Sequence, residues 1–244
     1  MRLYATLLIT ASLAFGQAPP VNLERVYYLT YAPTVQDFQE IVNVTRTIAG
    51  IREVSADTGQ KAMTLHGTPD QLALADWLVA QLNRPVPLAA DLSTHEYTAG
   101  KDDLVRIFYL TEMASVQDFQ EAVNTIRTIS TIRQAFTENA QRALVLRGTV
   151  DQIAVAGWLV EQVAQPPSSD RHEYRAGSDD VVRVFYLTQT GSLQTFQQSI
   201  NTIRTAANIR QAFTVAHLRM LALRGTSDQM AQAEQLIKDR GLGF

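Results

Sequence analysis

The chain has 244 residues, 46% of them hydrophobic and 18% charged, with a formal net charge of −3 and no cysteine. That composition supports packed cores and excludes disulfides, thiol catalysis, cysteine–zinc sites and a lipidated N-terminal cysteine. Losing Arg2 with the leader described next leaves 20 basic against 24 acidic residues, which does not favour nucleic acid or an anionic membrane as a partner, since both select clustered Lys and Arg.

Residues 1–16 read MRLYATLLITASLAFG. Arg2 gives a positive start, Leu3 to Phe15 is largely apolar, and Ala14 and Gly16 supply small residues for cleavage before Gln17. This is the pattern of a signal peptide, and it is too short for a membrane span of about 20 residues. Nothing later in the chain is apolar enough to span. The expected location is therefore the periplasm or the cell exterior.

The rest repeats itself. Val26-Tyr27-Tyr28-Leu29-Thr30 returns as Ile107 to Thr111 and as Val184 to Thr188. Asn124 to Thr128 returns as Asn201 to Thr205, and Ile132 to Thr137 as Ile209 to Thr214. From strand leucine to glycine the distance is 38 residues each time: Leu29 to Gly67, Leu110 to Gly148, Leu187 to Gly225. Fixed spacing without insertion marks one folded unit copied three times. The expected boundaries are 22–84, 104–166 and 181–244, with linkers 85–103 and 167–180.

Each copy is read here through the second. Val105 to Thr111 mixes β-branched and aromatic residues and predicts a strand. Ser115 caps a helix, with Asp118 at the capping-box position, and Phe119, Ala122, Val123, Ile126 and Ile129 share one face. Ile132 to Thr137 and Arg142 to Arg147 predict a strand pair joined by a turn at Asn139 to Gln141. Thr149 with Gln152 starts a second helix, as Thr68 and Thr226 do; Pro69 fits the first helical position, and Pro85 and Pro166 stop the helices. The fold class is α+β: three strand–helix–strand–strand–helix modules, each a three-stranded sheet with two helices on one face. Each linker carries a near copy, His95-Glu96-Tyr97 and His172-Glu173-Tyr174, followed by a Gly-x-Asp-Asp turn, and is expected to add a fourth strand beside the next module's first strand.

These residues resemble the periplasmic N-terminal domains of bacterial secretins, whose modules pair a Phe-Tyr-Leu strand with a strand ending in Arg-Gly-Thr and a second amphipathic helix. The matching stretches are Val184 to Leu187, Leu221 to Asp228 and Met230 to Ile237, with equivalents in the other copies. The resemblance implies ring or array assembly and protein partners. No membrane-barrel segment follows the third copy before Phe244, so the chain is not expected to form a channel by itself.

Residues that could carry chemistry are sparse against that background. Of four histidines, His95 and His172 recur beside a glutamate, but strand neighbours point to opposite faces and would not share a metal ion. No Ser-His-Asp set, nucleophile elbow, paired-carboxylate site or phosphate-cradling loop is present, and the Gly-x-x-Gly clamp and basic face that RNA-binding KH domains need are missing. No cofactor is expected. The candidate interaction residues are Trp77 and Trp158, expected to pack on Tyr97 and Tyr174 of the following linker, and the recurrent Arg127, Arg147, Arg204 and Arg224. The third copy has Gln232 and Gln235 where the others have an apolar residue and a tryptophan, the mark of a terminal cap. The expected function is non-catalytic binding or assembly with a protein partner of the cell envelope, or with further copies of the chain. The alternative is a receptor for a glycan or peptide held between modules, and a third reading is an accessory subunit of an envelope enzyme.

Overall fold

The structure, a computed structural model, describes residues 22–85, 95–168 and 172–243. The leader, its cleavage position, the looser part of the first linker and Phe244 lie outside them. None of the described helices is long and apolar enough to cross a membrane.

Three α+β modules follow one another. The first contains β1 (Leu23–Tyr28), α1 (Val35–Ile48), β2 (Glu53–Asp57), β3 (Ala62–Gly67) and α2 (Pro69–Leu82). A linker strand, β4 (His95–Gly100), precedes β5 (Asp103–Tyr109), α3 (Val116–Ile129), β6 (Gln134–Glu138), β7 (Ala143–Gly148) and α4 (Val150–Ala164). A second linker strand, β8 (His172–Arg175), precedes β9 (Val181–Tyr186), α5 (Leu193–Ala206), β10 (Gln211–Val215), β11 (Met220–Gly225) and α6 (Ser227–Asp239). The sheets are antiparallel, in the orders β1-β3-β2, β4-β5-β7-β6 and β8-β9-β11-β10. The linkers thus fill the edge that the three-stranded reading left open in the second and third modules.

The caps form where the side chains allow them. Thr68, Thr149 and Thr226 make reciprocal capping boxes with Gln71, Gln152 and Gln229. Ser115 accepts the Asp118 N–H at 3.0 Å, while its hydroxyl turns to the Asp118 carboxylate, so α3 shows only half of the expected box. The second strand starts at Gln134 rather than Ile132, because the Ile132 N–H is spent on closing α3, donating to Arg127 O at 3.0 Å. Gly50, Thr131 and Asn208 take left-handed φ values of +68°, +59° and +50° one residue past each helix cap, the conformation that ends such helices.

The second and third sheets have two covered faces, not one. Their own helices cover the front: in the second module Phe108, Leu144 and Leu146 pack with Phe119, Ile126 and Ile153 in one buried cluster. The back face of the second sheet, Val105, Ile107, Tyr109, Ala143 and Val145, belongs instead to the core of the first module, with Phe38, Val44 and Leu78. The third sheet repeats this, with Val182, Val184, Tyr186 and Ala222 in the core of the second. Burying each such aliphatic side chain stabilises by about 1.5–3 kcal/mol, so the stacking interface is a continuation of the core.

Candidate interaction surface

The contact between modules is built twice from equivalent atoms. Tyr109 donates its hydroxyl to Gln81 O at 3.1 Å, and Tyr186 donates to Gln162 O at 2.9 Å. Glu40 accepts the Asn139 N–H at 2.7 Å, and Glu121 accepts the Ala216 N–H at 2.9 Å. Arg147 grips Asp103 with Nε and Nη2 and gives Nη1 to Ile48 O; Arg224 does the same with Asp180 and Ile129 O. The guanidinium fork is well shaped for this double contact, because two N–H groups hold a carboxylate of the same module while another reaches an orphan carbonyl at the end of the preceding module's first helix. Arg147 and Arg224 are therefore stacking residues, and their geometry commits them to that contact rather than to a ligand stripe.

The linker strands work by pleat alternation. Tyr97 meets Trp77 of the preceding module with ring centroids 5.6 Å apart, and Tyr174 meets Trp158 at 5.8 Å. His95 lies edge-on to Tyr109 and within 3.0 Å of Arg84; His172 lies edge-on to Tyr186. The intervening Glu96 and Glu173 pair across the strands with Arg106 and Arg183. Histidine and glutamate diverge as the strand geometry requires. The pairs with Arg106 and Arg183 were missed in the sequence, although Arg25, Arg106 and Arg183 occupy one repeat position and were available as a signal.

Arg127 and Arg204 behave differently. With Arg46 they sit exposed in the last turns of α3, α5 and α1, and none of the three has an acidic partner among the described residues. Each complements the negative end of its helix. Shallow grooves run between successive first helices, one lined by Arg46, Asn124, Arg127 and Phe136, the next by Asn124, Asn201 and Phe213. A more enclosed cleft lies within the second module beside Arg106, where Gly157 replaces the acids Asp76 and Glu234 of the other copies; Phe108, Met113 and Val160 line it and Glu112 and Glu161 rim it.

Among the described residues, Asp37, Glu40 and Glu138 bring carboxylate oxygens within 4.8 Å of one another at the first interface. Each is already engaged: Asp37 with Thr34, Glu40 with Asn139, and Glu138 with the Ala140 and Gln141 N–H groups. Burial raises the Glu138 pKa above the ordinary glutamate range, the two backbone N–H groups oppose the rise, and Glu40 and Asp37 add to it. A raised folded-state pKa means that the folded chain holds this proton more tightly than the unfolded one. Its contribution to stability is full at low pH and falls as pH climbs through the shifted value. Glu138→Gln removes that dependence. Its stability relative to the parent should improve from acidic to neutral pH, measured by urea unfolding at both.

No family model and no curated protein sequence matches the chain. Solved structures do align with it. XcpQN012 is 13% identical over 90% of this chain and 99% of that one, with a TM-score of 0.27. Aeromonas hydrophila ExeD is 14% identical over 90% of this chain, which spans only 41% of ExeD, with a TM-score of 0.21. The a/eIF2alpha–aDim2p–rRNA complex from Pyrococcus horikoshii OT3 is 12% identical over 61% of this chain and 88% of the matched one, with a TM-score of 0.34. At these scores no role passes from those proteins to this one.

Proposed function

We propose that the chain is an exported, non-catalytic scaffold that binds other proteins in the cell envelope. The observation that carries this is the doubled interface. The same tyrosine, arginine and backbone contacts join module one to two and two to three, so the fold spends its most distinctive residues on holding modules in a fixed order. Apart from the exposed Arg46, Arg127 and Arg204, the repeated polar side chains described above support this reading by their engagement in stacking, pairing across strands and capping. The leader and the sequence resemblance of the repeats to secretin periplasmic modules support the location and the kind of partner.

The test is capture. The chain lacking its leader, tagged and crosslinked in the envelope of its source cells, should enrich the same few proteins reproducibly, as identified by mass spectrometry. An absence of enrichment over a tagged control, or turnover of a small-molecule substrate by the purified chain, would contradict the reading.

A further inference from the structure

Among the described residues, the stack is closed at one end and open at the other. In the first two modules the carbonyl that ends the first helix, Ile48 O or Ile129 O, accepts from an arginine of the next module. In the third, the equivalent Ala206 O accepts from Gln232 of the same module at 2.9 Å. Gln232 stands where Leu74 and Val155 stand, Gln235 where Trp77 and Trp158 stand, and Gln198 where Glu40 and Glu121 stand. Gln198, Gln232 and Gln235 are exposed. The tail helices are thus satisfied internally and are polar on the face that would otherwise receive a fourth sheet.

The other end has no such closure among the described residues. Tyr28 occupies the position of Tyr109 and Tyr186, and Val26 that of Ile107 and Val184, on the sheet face that faces helices in the later modules. Tyr109 and Tyr186 are each 4% exposed, whereas Tyr28 is 61% and Val26 44% exposed. Leu23, also exposed, alternates onto the opposite face with Arg25 and Tyr27, and Tyr31 lies in the turn after β1. The rest of that face is small or polar, Ala62, Thr64 and His66 on β3 with Ser55 and Asp57 on β2, so Val26 and Tyr28 are its apolar centre. Its counterparts in the later modules are covered by helices, and that continuity with the established interface marks it as a docking site.

We infer that this face binds a pair of helices on another protein, of the same chemistry as the faces that cover Tyr109 and Tyr186. That chemistry is an aliphatic residue at the place of Leu74 and Val155, a glutamate reaching the N–H of Thr58, and a free carbonyl at a helix end for the Tyr28 hydroxyl. A second copy of this chain is the poorer occupant, because its two apolar helix faces are used internally and its third is capped. The inference rests on the scaffold reading but is tested apart from it, with purified protein.

The test rebuilds an acceptable helix face on the chain itself. In a Gln198→Glu background, which restores the glutamate, Gln232→Leu removes the bond to Ala206 O and restores the aliphatic residue; His66→Arg restores the arginine of the later modules. Sedimentation velocity of the leaderless parent should show a monomer at all concentrations. The triple variant, with an unchanged circular dichroism spectrum, should sediment faster as its concentration rises, and adding Tyr28→Asp should return it to the monomer. A folded triple variant that stays monomeric overturns the inference, whether the face is unfit for helices or is covered by residues ahead of Asn22. Association of the parent through Tyr28 overturns it too, since the occupant would then be a second copy. If Gln232→Leu impairs folding, His66→Arg with Gln232→Met in the same background provides the same readout.

Discussion

Replacing Arg183 with leucine is expected to cost about 3–5 kcal/mol of folding stability, the penalty of breaking a buried ion pair from one side. The Arg183 side chain is 5% exposed and joins two carboxylates, Glu173 of the linker strand and Glu234 of α6. It also lies 5.8 Å from the centre of the Phe185 ring. Removing it takes the buried guanidinium away from Glu173, itself largely buried, which keeps its contact with the exposed Arg175 at 3.2 Å. The same change at Arg25, whose side chain is 46% exposed and whose acidic partner among the described residues is the similarly exposed Asp76, should cost less than about 1 kcal/mol, because water screens an exposed pair. Urea unfolding of the two variants measures the contrast. Equal losses at both positions would mean that the buried bridge is not what ties linker strand, sheet and helix together in the third module.

Trp158→Ala should destabilise by about 2–4 kcal/mol, toward the lower end of the range for buried aromatic truncations because the indole is only half-buried. The loss falls on the contact with Tyr174, so it should uncouple the third module from the second as well as weaken the whole. Two unfolding transitions should replace one. Gln235, the third-module counterpart of Trp158, faces water, and Gln235→Ala should change stability by no more than about 0.5 kcal/mol. Intrinsic fluorescence gives the companion reading. Emission from Trp77 and Trp158 should be that of shielded indoles in the native chain, and red-shifted native emission would place both side chains in solvent.

Much of this was legible because the sequence carries three copies of itself. Shared positions exposed the strands and caps, and the differences between copies exposed the ends. Trp77 and Trp158 against Gln235, read beside Tyr97 and Tyr174, identified the inter-module contact and the polar tail. The second covered face of the later two sheets was not read, although a physical signal for it was present. Ala143-Leu144-Val145-Leu146 and Met220-Leu221-Ala222-Leu223 are unbroken apolar runs, as strands buried on both faces require. In the first copy the matching strand, Ala62-Met63-Thr64-Leu65-His66, alternates, as a strand with one open face does. The roles of Arg147 and Arg224 were beyond periodicity. Whether an exposed-looking arginine meets solvent or a carbonyl of the preceding module depends on how modules stack, and a pattern within one module does not encode that.

The most direct measurement is scanning calorimetry of the leaderless chain. If modules share cores through Tyr109, Tyr186 and the arginine staples, the three should melt as one unit, with calorimetric and van't Hoff enthalpies in a ratio of about 1. A ratio of about 3, the value for three modules melting independently, would contradict the continuous stack on which the docking inference depends.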